Sequence, residues 1–296
     1  MHNDAFDKLI KSGKVAAAAL KYGLSLVKEG SRVLSIAESI ENRIRQEGAM
    51  PAFPACVCIN DVAAHYTPTH DDPLVLRRGQ VVKIDLGSHV DGYIADTART
   101  VEVGTNNWTN LIRASEAALE TAIEVIRPNI PTRMIGAAVE KTIDSFGFRP
   151  VVNLTGHSIE RFNLHAGKSI PNVGDRSSDV IAEGDIVAME PFASTGAGKV
   201  DGGRPANIYR LLRSKELKHE PSNRMLKFID ETFKGLPFSE RWCYRFDERA
   251  PAILRKLQRT GLVMAYKQLV DIKGGMVSQA EHTVLVTSEG GKPTTL

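Results

Sequence analysis

A strand-like pattern that occurs twice constrains this chain more than any other feature. Gly79-Gln-Val-Val-Lys-Ile-Asp85 and Gly184-Asp-Ile-Val-Ala-Met-Glu190 superpose a turn glycine, a mostly apolar run and a terminal acid. A histidine precedes each copy, His65 before Asp85 and His165 before Glu190. Fixed-order similarity of this kind reads as internal duplication. Two such halves pack about a pseudo-twofold axis, and the acids at the ends of equivalent strands then meet across it.

The pattern along the chain agrees with alternating helical and strand-rich blocks. Residues 5–27 carry apolar side chains at helical spacing, and Ser31 is placed to cap a second helix, VLSIAESIENRIRQEG, closed by Gly48. After the Pro-punctuated AMPAFPA come ACVCIN, QVVKIDLG and GYIADTARTVEV, which read as strands. The last two flank SHVDG, whose Asp91-Gly92 is a hairpin signal. Helical spacing returns between about Asn106 and Phe146, broken near Arg127-Pro-Asn-Ile-Pro131. The stretch from about Ser214 to Leu269 reads as an all-helical insertion with a small wing, and YKQLVDIKG and MVSQAEHTVLVTS then return to β.

The hairpin fixes the geometry of two acids. With Asp91-Gly92 as a two-residue turn, Asp85 faces Ala98 and Asp96 faces Gly87; centred one residue earlier, Asp85 faces Asp96. Side chains alternate with period two, so both acids share one face in either register. Two buried carboxylates side by side repel, and bound cations remove that cost. Glu190 and Glu281 end or begin apolar runs in the same way, and His157 follows Gly156 in LTGHSIERF. Asp85, Asp96, His157, Glu190 and Glu281 thus offer hard oxygen donors, one imidazole and about four negative charges, a set suited to a pair of divalent cations. His65 and His165 remain to hold a scissile carbonyl and its tetrahedral intermediate. His282, beside Glu281, points to the opposite face.

Other features exclude alternatives. STGAGKV (194–200) resembles a phosphate loop, but Ala193 stands where the leading glycine belongs and Val200 where a magnesium-binding hydroxyl belongs. No G-x-S-x-G elbow supports a covalent mechanism. The three cysteines, Cys56, Cys58 and Cys243, make no disulfide framework and fit a reducing compartment. No apolar run approaches the roughly 18 residues of a membrane span, and MHNDAFDKLIKSGK lacks a signal peptide's apolar core, so a cytoplasmic protein without membrane contact is expected. The net charge of +3 hides an asymmetry: Arg204 to Gly275 holds 16 Lys+Arg against 8 Asp+Glu. Such a segment reads as a solvated helical surface or as a dock for an anionic partner such as ribosomal RNA.

The segments AFPACVCINDVAAHYTP, VVKIDLGSHVDGYIADTARTV, NLTGHSIERFNLHAGKSIPN, EGDIVAMEPFASTGAGKV and AEHTVLV resemble those of type 2 methionine aminopeptidases, in the short archaeal form, over essentially the whole chain. The resemblance implies an α/β (α+β) pita-bread fold, the creatinase/aminopeptidase architecture, with an internal pseudo-twofold. It divides the chain into a catalytic domain of 1–204 and 270–296 and a helical, winged-helix-like insertion of 205–269. It implies two divalent metal ions, Co, Mn or Fe with Ni and Zn as further candidates, held by Asp85, Asp96, His157, Glu190 and Glu281, with Asp96 and Glu281 bridging. Glu190 then serves as general base, His65 meets the substrate amide and leaving group, His165 the carbonyl or intermediate, and Phe53 and Leu164 line the methionine pocket. The substrates implied are peptides and nascent chains with N-terminal Met before a small residue, cleaved by a monomer with transient ribosome association. Ala280 replaces a usually aromatic residue, which leaves the pocket wall there wider or filled from elsewhere. Residues 205–235 match poorly, and no substrate contact is carried over from them. An Xaa-Pro aminopeptidase of the same fold and a ribosome-binding homologue that lost its metal are the competing readings; the insertion speaks against the first, the five surviving ligands against the second.

Overall fold

The computed structural model describes residues 3–296. Helices α1 (Asn3–Ser25) and α2 (Val33–Gln46) open the chain, and Gly48, at φ +76°, ends the second. Ser31 does not cap α2. Its hydroxyl donates instead to the Leu26 carbonyl (2.8 Å) just past α1, and Arg32 occupies the cap position without a side-chain bond. The buried stripe of α2, Val33, Ile36, Ala37, Ile40 and Ile44, follows helical spacing. It packs with α1 onto Val82, Ile84 and Leu86.

Those three residues belong to the main sheet. Its first half contains β1 (Met50–Pro51), β2 (Cys56–Ile59), β4 (Val81–Val90) and β5 (Tyr93–Glu102), while β3 (Val62–Ala64) joins a smaller sheet. Helices α3 (Thr109–Val125) and α4 (Thr132–Ser145) cover the second half, separated where Pro128 and Pro131 interrupt the helical pattern. There follow β6 (Arg149–Pro150), β7 (Thr155–Ile159), β8 (Ser169–Pro171), β9 (Ile186–Met189) and β10 (Phe192–Ser194). The chain closes with β14 (Val277–Gln279), β15 (Glu281–Thr287) and β16 (Gly290–Pro293), after a segment treated below. The sheet runs β1-β4-β5-β15-β9-β7-β8, every pairing antiparallel, with β2 also on β4 and β16 on β15.

The duplication is visible in the backbone. Gly79 (φ +83°) and Gly184 (φ +86°) both adopt the left-handed conformation that favours glycine. Gly79 N–H donates to Val103 O while Val103 N–H donates to Gln80 O. Gly184 N–H donates to Val286 O while Val286 N–H donates to Asp185 O. The β4–β5 and β9–β15 pairs are therefore closed by the same device. Val187 and Met189 face the core under α3 and α4, so Ala188 and the residue after the strand, Glu190, face the other way.

The intervening segment, expected as an all-helical insertion with a small wing, holds three helices framed by strands. It opens on a long strand, β11 (Val200–Leu211), which pairs with β13 (Val263–Asp271); β12 (Phe238–Ser239) and β3 complete this sheet. Three helices, α5 (Glu220–Phe233), α6 (Glu240–Phe246) and α7 (Ala250–Arg259), pack on it through Met225, Ile229, Phe238, Trp242 and Leu254. Gly202, Gly203 and Pro205 hide β11 from a period-two reading, and its pairing slips between Gly202 and Pro205 and again before Tyr209. Positions 205 and 269 therefore fall inside strands. In the adjoining Gly-rich loop, the Ser194 hydroxyl (2.8 Å) and the Ala197, Lys273 and Gly275 amides (3.1, 2.9 and 3.3 Å) donate to the Asp271 carboxylate. The loop cradles an anion, and the anion is the chain's own. Among the described residues, no helix is long and apolar enough to cross a membrane.

Candidate metal centre and substrate cavity

Five neighbouring strands each deliver one donor to the same face of the sheet. The hairpin turn has Asp91 at φ +51° and Gly92 at φ +85°, the two positive values of a primed two-residue turn. This sets the register Gly87↔Asp96 and Asp85↔Ala98. Ala98 is in turn the partner of Glu281 on β15. His282 pairs with Met189, so Glu190 follows at the end of β9 beside Glu281, and His157 on β7 pairs with Ala188. The row Asp85, Asp96, Glu281, Glu190, His157 thus follows the order β4-β5-β15-β9-β7.

Their side chains converge. His157 Nε2 lies 3.5 Å from Glu190 Oε1 and 3.7 Å from Asp96 Oδ2, and Asp96, His157 and Glu281 present donor atoms within 4.8 Å of one another. His157 Nδ1 lies 3.3 Å from the Ser158 carbonyl, which can only accept; the tautomer that uses this contact carries its proton on Nδ1 and turns the Nε2 lone pair to the carboxylates. Oδ1 of Asp85 and Oδ1 of Asp96 are buried without any hydrogen-bond donor. An orphaned buried carboxylate oxygen is costly. Hard anionic oxygens without donors, next to a neutral imidazole nitrogen, are the donor set a divalent cation satisfies.

Electrostatics say the same. Burial pushes the Asp85 carboxyl up to about 7, and it raises Asp96, Glu190 and Glu281 well above the usual range, with the neighbouring carboxylates adding to each. Burial also lowers His157 to about 4, His165 to about 3 with help from the neighbouring histidines, and His65. The imidazoles are neutral donors and acceptors at pH 7. A carboxyl with a raised folded-state pKa stabilises the metal-free fold below its unfolded value and loses that contribution as pH rises through the folded value, here the window from about 4 to about 7 for Asp85. Cations that pair with the ionised groups cancel the loss. The gap in Tm between metal-loaded and chelated protein is therefore expected to widen from pH 5 to pH 8; a gap that stays constant across a series of thermal melts contradicts the assignment.

All nine residues singled out from the sequence, Phe53, His65, Asp85, Asp96, His157, Leu164, His165, Glu190 and Glu281, line one cavity of about 220 Å³. His65 follows β3 with φ +69°, unusual for a side-chain-bearing residue, and its ring meets Tyr266 edge-on at 5.3 Å. His165 tilts against His157 at 4.3 Å. Phe53 and Leu164, both on the cavity wall, belong to a buried apolar cluster that also holds Ile94, Ile159, Ala188 and Leu236. A Cβ on Gly87 would stand 2.4 Å from the Phe53 ring, so the glycine admits the ring.

Several lining residues escaped the sequence reading. Ile208, Pro237, Tyr266 and Leu269 come from the inserted segment, Ile208 on β11, Tyr266 and Leu269 on β13 and Pro237 just before β12. Gln279 donates from Nε2 to Glu281 Oε2 (3.2 Å) and Asp85 Oδ2 (3.4 Å). Its position two residues before Glu281 was the available signal, since alternate strand residues share a face. Ala280 is not part of the wall. It is buried in the apolar cluster beneath α3 and α4, because it alternates with Glu281.

A duplicated antiparallel α/β architecture with a carboxylate-rich centre at its axis defines a metal-dependent hydrolase of pita-bread fold. Residues 7–288 match metallopeptidase family M24, and the chain belongs to that family. It is 46% identical to a methionine aminopeptidase of Thermococcus onnurineus over 99% of this chain and 100% of that one. It is 41% identical to a methionine aminopeptidase of Methanocaldococcus jannaschii over the full length of both. Among solved structures, a thermophilic Arx1 superposes with a TM-score of 0.89 at 19% identity, covering 99% of this chain and 91% of that one.

Proposed function

We propose that the chain is a methionine aminopeptidase that removes N-terminal Met from peptides and nascent chains when the next residue is small, acting as a monomer with two divalent cations drawn from Co, Mn, Fe, Ni or Zn. The observation that carries this reading is the convergence of the nine residues on one cavity whose wall includes the apolar side chains Phe53 and Leu164. Asp85, Asp96, His157, Glu190 and Glu281 would hold the cations, which supply an acidified water and a polarised carbonyl. Glu190, whose carboxyl burial raises above the usual range, would accept the proton of the attacking water. Neutral His165 would donate to the scissile carbonyl, and neutral His65 would meet the amide and its leaving amine. Phe53 and Leu164 would receive the unbranched methionine side chain.

Residues 205–269 serve in this reading as an inserted subdomain that closes one side of the cavity. The excess of 16 Lys+Arg over 8 Asp+Glu between Arg204 and Gly275 supports transient ribosome association, which co-sedimentation insensitive to salt would argue against. Three buried free thiols suit a reducing cytoplasm. The deciding assay is Met release from Met-Ala-Ser and from an Xaa-Pro peptide by metal-loaded protein. Release from the first, loss on chelation and little turnover of the second are expected; no release with Mn, Fe or Co overturns the reading.

A further inference from the structure

Leu164 and His165 sit in an irregular loop between β7 and β8, and regular structure does not account for their placement. A tight turn closes within it: Glu160 N–H donates to Asn163 O (2.9 Å) and Asn163 N–H to Glu160 O (3.0 Å), leaving Arg161 and Phe162 at the tip. Phe162 has φ +55°, a left-handed conformation that a bulky side chain rarely adopts unless its surroundings impose it. Those surroundings are the tip of the β4–β5 hairpin. Phe162 N–H donates to Gly92 O (2.9 Å), and its ring lies so close over Gly92 that a Cβ there would stand 2.4 Å from ring atoms.

Contacts from Asp91, Lys234 and His89 also hold the tip. Arg161 Nε donates to Asp91 O (2.9 Å) while its Nη2 pairs with the Asp91 carboxylate (2.8 Å), which Lys8 of α1 also reaches (3.2 Å). Lys234 Nζ lies 5.1 Å from the centre of the Phe162 ring, and the His89 ring meets its edge at 5.6 Å. The strained residue is thus clamped to the same hairpin whose two strands carry Asp85 and Asp96.

We propose that Phe162 is a positioning residue: wedged over Gly92, it fixes the loop so that His165 stands at its place beside the Asp85–Asp96 centre. The inference rests on the reading above in which His165 serves the reaction. Phe162→Ala releases the wedge and is expected to lower kcat on the order of ten- to a hundred-fold, the scale of a displacement of about 1 Å at a reacting centre. The same change made in a His165→Ala background is expected to cost less than about two-fold, because the group it positions is gone. Phe162→Tyr, which keeps the ring, restores most of kcat. Phe162→Leu is read in the same cycle if the alanine variant fails to fold. Equal losses in both backgrounds overturn the proposal while leaving the function intact. A His165→Ala enzyme with undiminished kcat overturns both the role of His165 and the positioning argument built on it.

Discussion

Asp96→Asn is expected to abolish Met release while making the metal-free protein more heat-stable. The two effects have one origin. Asp96 stands on β5 between Asp85 and Glu281, with one carboxylate oxygen buried and undonated and its carboxyl raised by burial first and by Asp85 next. Its backbone is already tied to β15, N–H donating to Thr283 Oγ1 (2.6 Å) and the same hydroxyl donating to Asp96 O (2.8 Å), so an isosteric amide leaves the strand pairing intact. What changes is one negative charge and one metal-binding oxygen. Removing a residue that only orients a ligand costs about 10–100-fold in metal affinity or activity, and a direct ligand exceeds that. A fall of kcat/KM by more than about 100-fold is expected at any sub-millimolar metal concentration. The lost repulsion works in the other direction: at pH 8 the chelated variant melts a few degrees above the chelated parent. Calorimetry and a peptide assay on one preparation test both halves, and a variant that loses activity together with metal-free stability would mean that Asp96 is structural.

That much of the centre was legible because its signals are local. Asp91-Gly92 specifies a primed turn, the turn sets the register, and period two then puts Asp85 and Asp96 on one face. The paired glycines, Gly79 and Gly184, announced two equivalent strand pairs for the same reason: only a left-handed turn demands that residue there. What stayed hidden depends on distant partners. β11 has two glycines and a proline where alternation should be, and it is a strand because β13 supplies its hydrogen bonds. Ser31 has the right side chain for a cap, but the Leu26 carbonyl captures it. Gln279 carries no signature of its own; its meaning comes from the two carboxylates its amide reaches. Metal-ligand chemistry is legible in a sequence when each donor sits in a strong local pattern, and the residues that orient those donors are not.

The clearest case of a hidden determinant is also the one with the largest expected effect on stability. Glu41 on α2 and Arg241 on α6 are both 2% exposed and form a bidentate ion pair, Arg241 Nη1 donating to Glu41 Oε2 (2.6 Å) and Nη2 to Oε1. Trp242 Nε1 (2.8 Å) and the Ala55 amide (3.1 Å) also donate to the Glu41 carboxylate. Arg241 Nη2 donates to Thr67 Oγ1 (3.1 Å), which itself donates to Ala55 O (2.9 Å). This network joins the second helix, the chain that presents Phe53, the loop after His65 and the inserted helices. Breaking one side leaves an uncompensated charge in a site that water does not reach, a cost of about 3–5 kcal/mol. Glu41→Leu or Arg241→Met alone is therefore expected to lower Tm by about 10 °C, taking about 2–4 °C per kcal/mol for a chain somewhat larger than 150–250 residues. The double variant removes both charges and is expected to recover most of the loss, because a buried pair is worth little more than apolar groups of the same volume. Recovery of stability need not restore catalysis, since Ala55 and Thr67 lose the partner that fixes the segments beside Phe53 and His65. A double variant as unstable as the sum of its parts would show that the two residues act through separate neighbours rather than through each other.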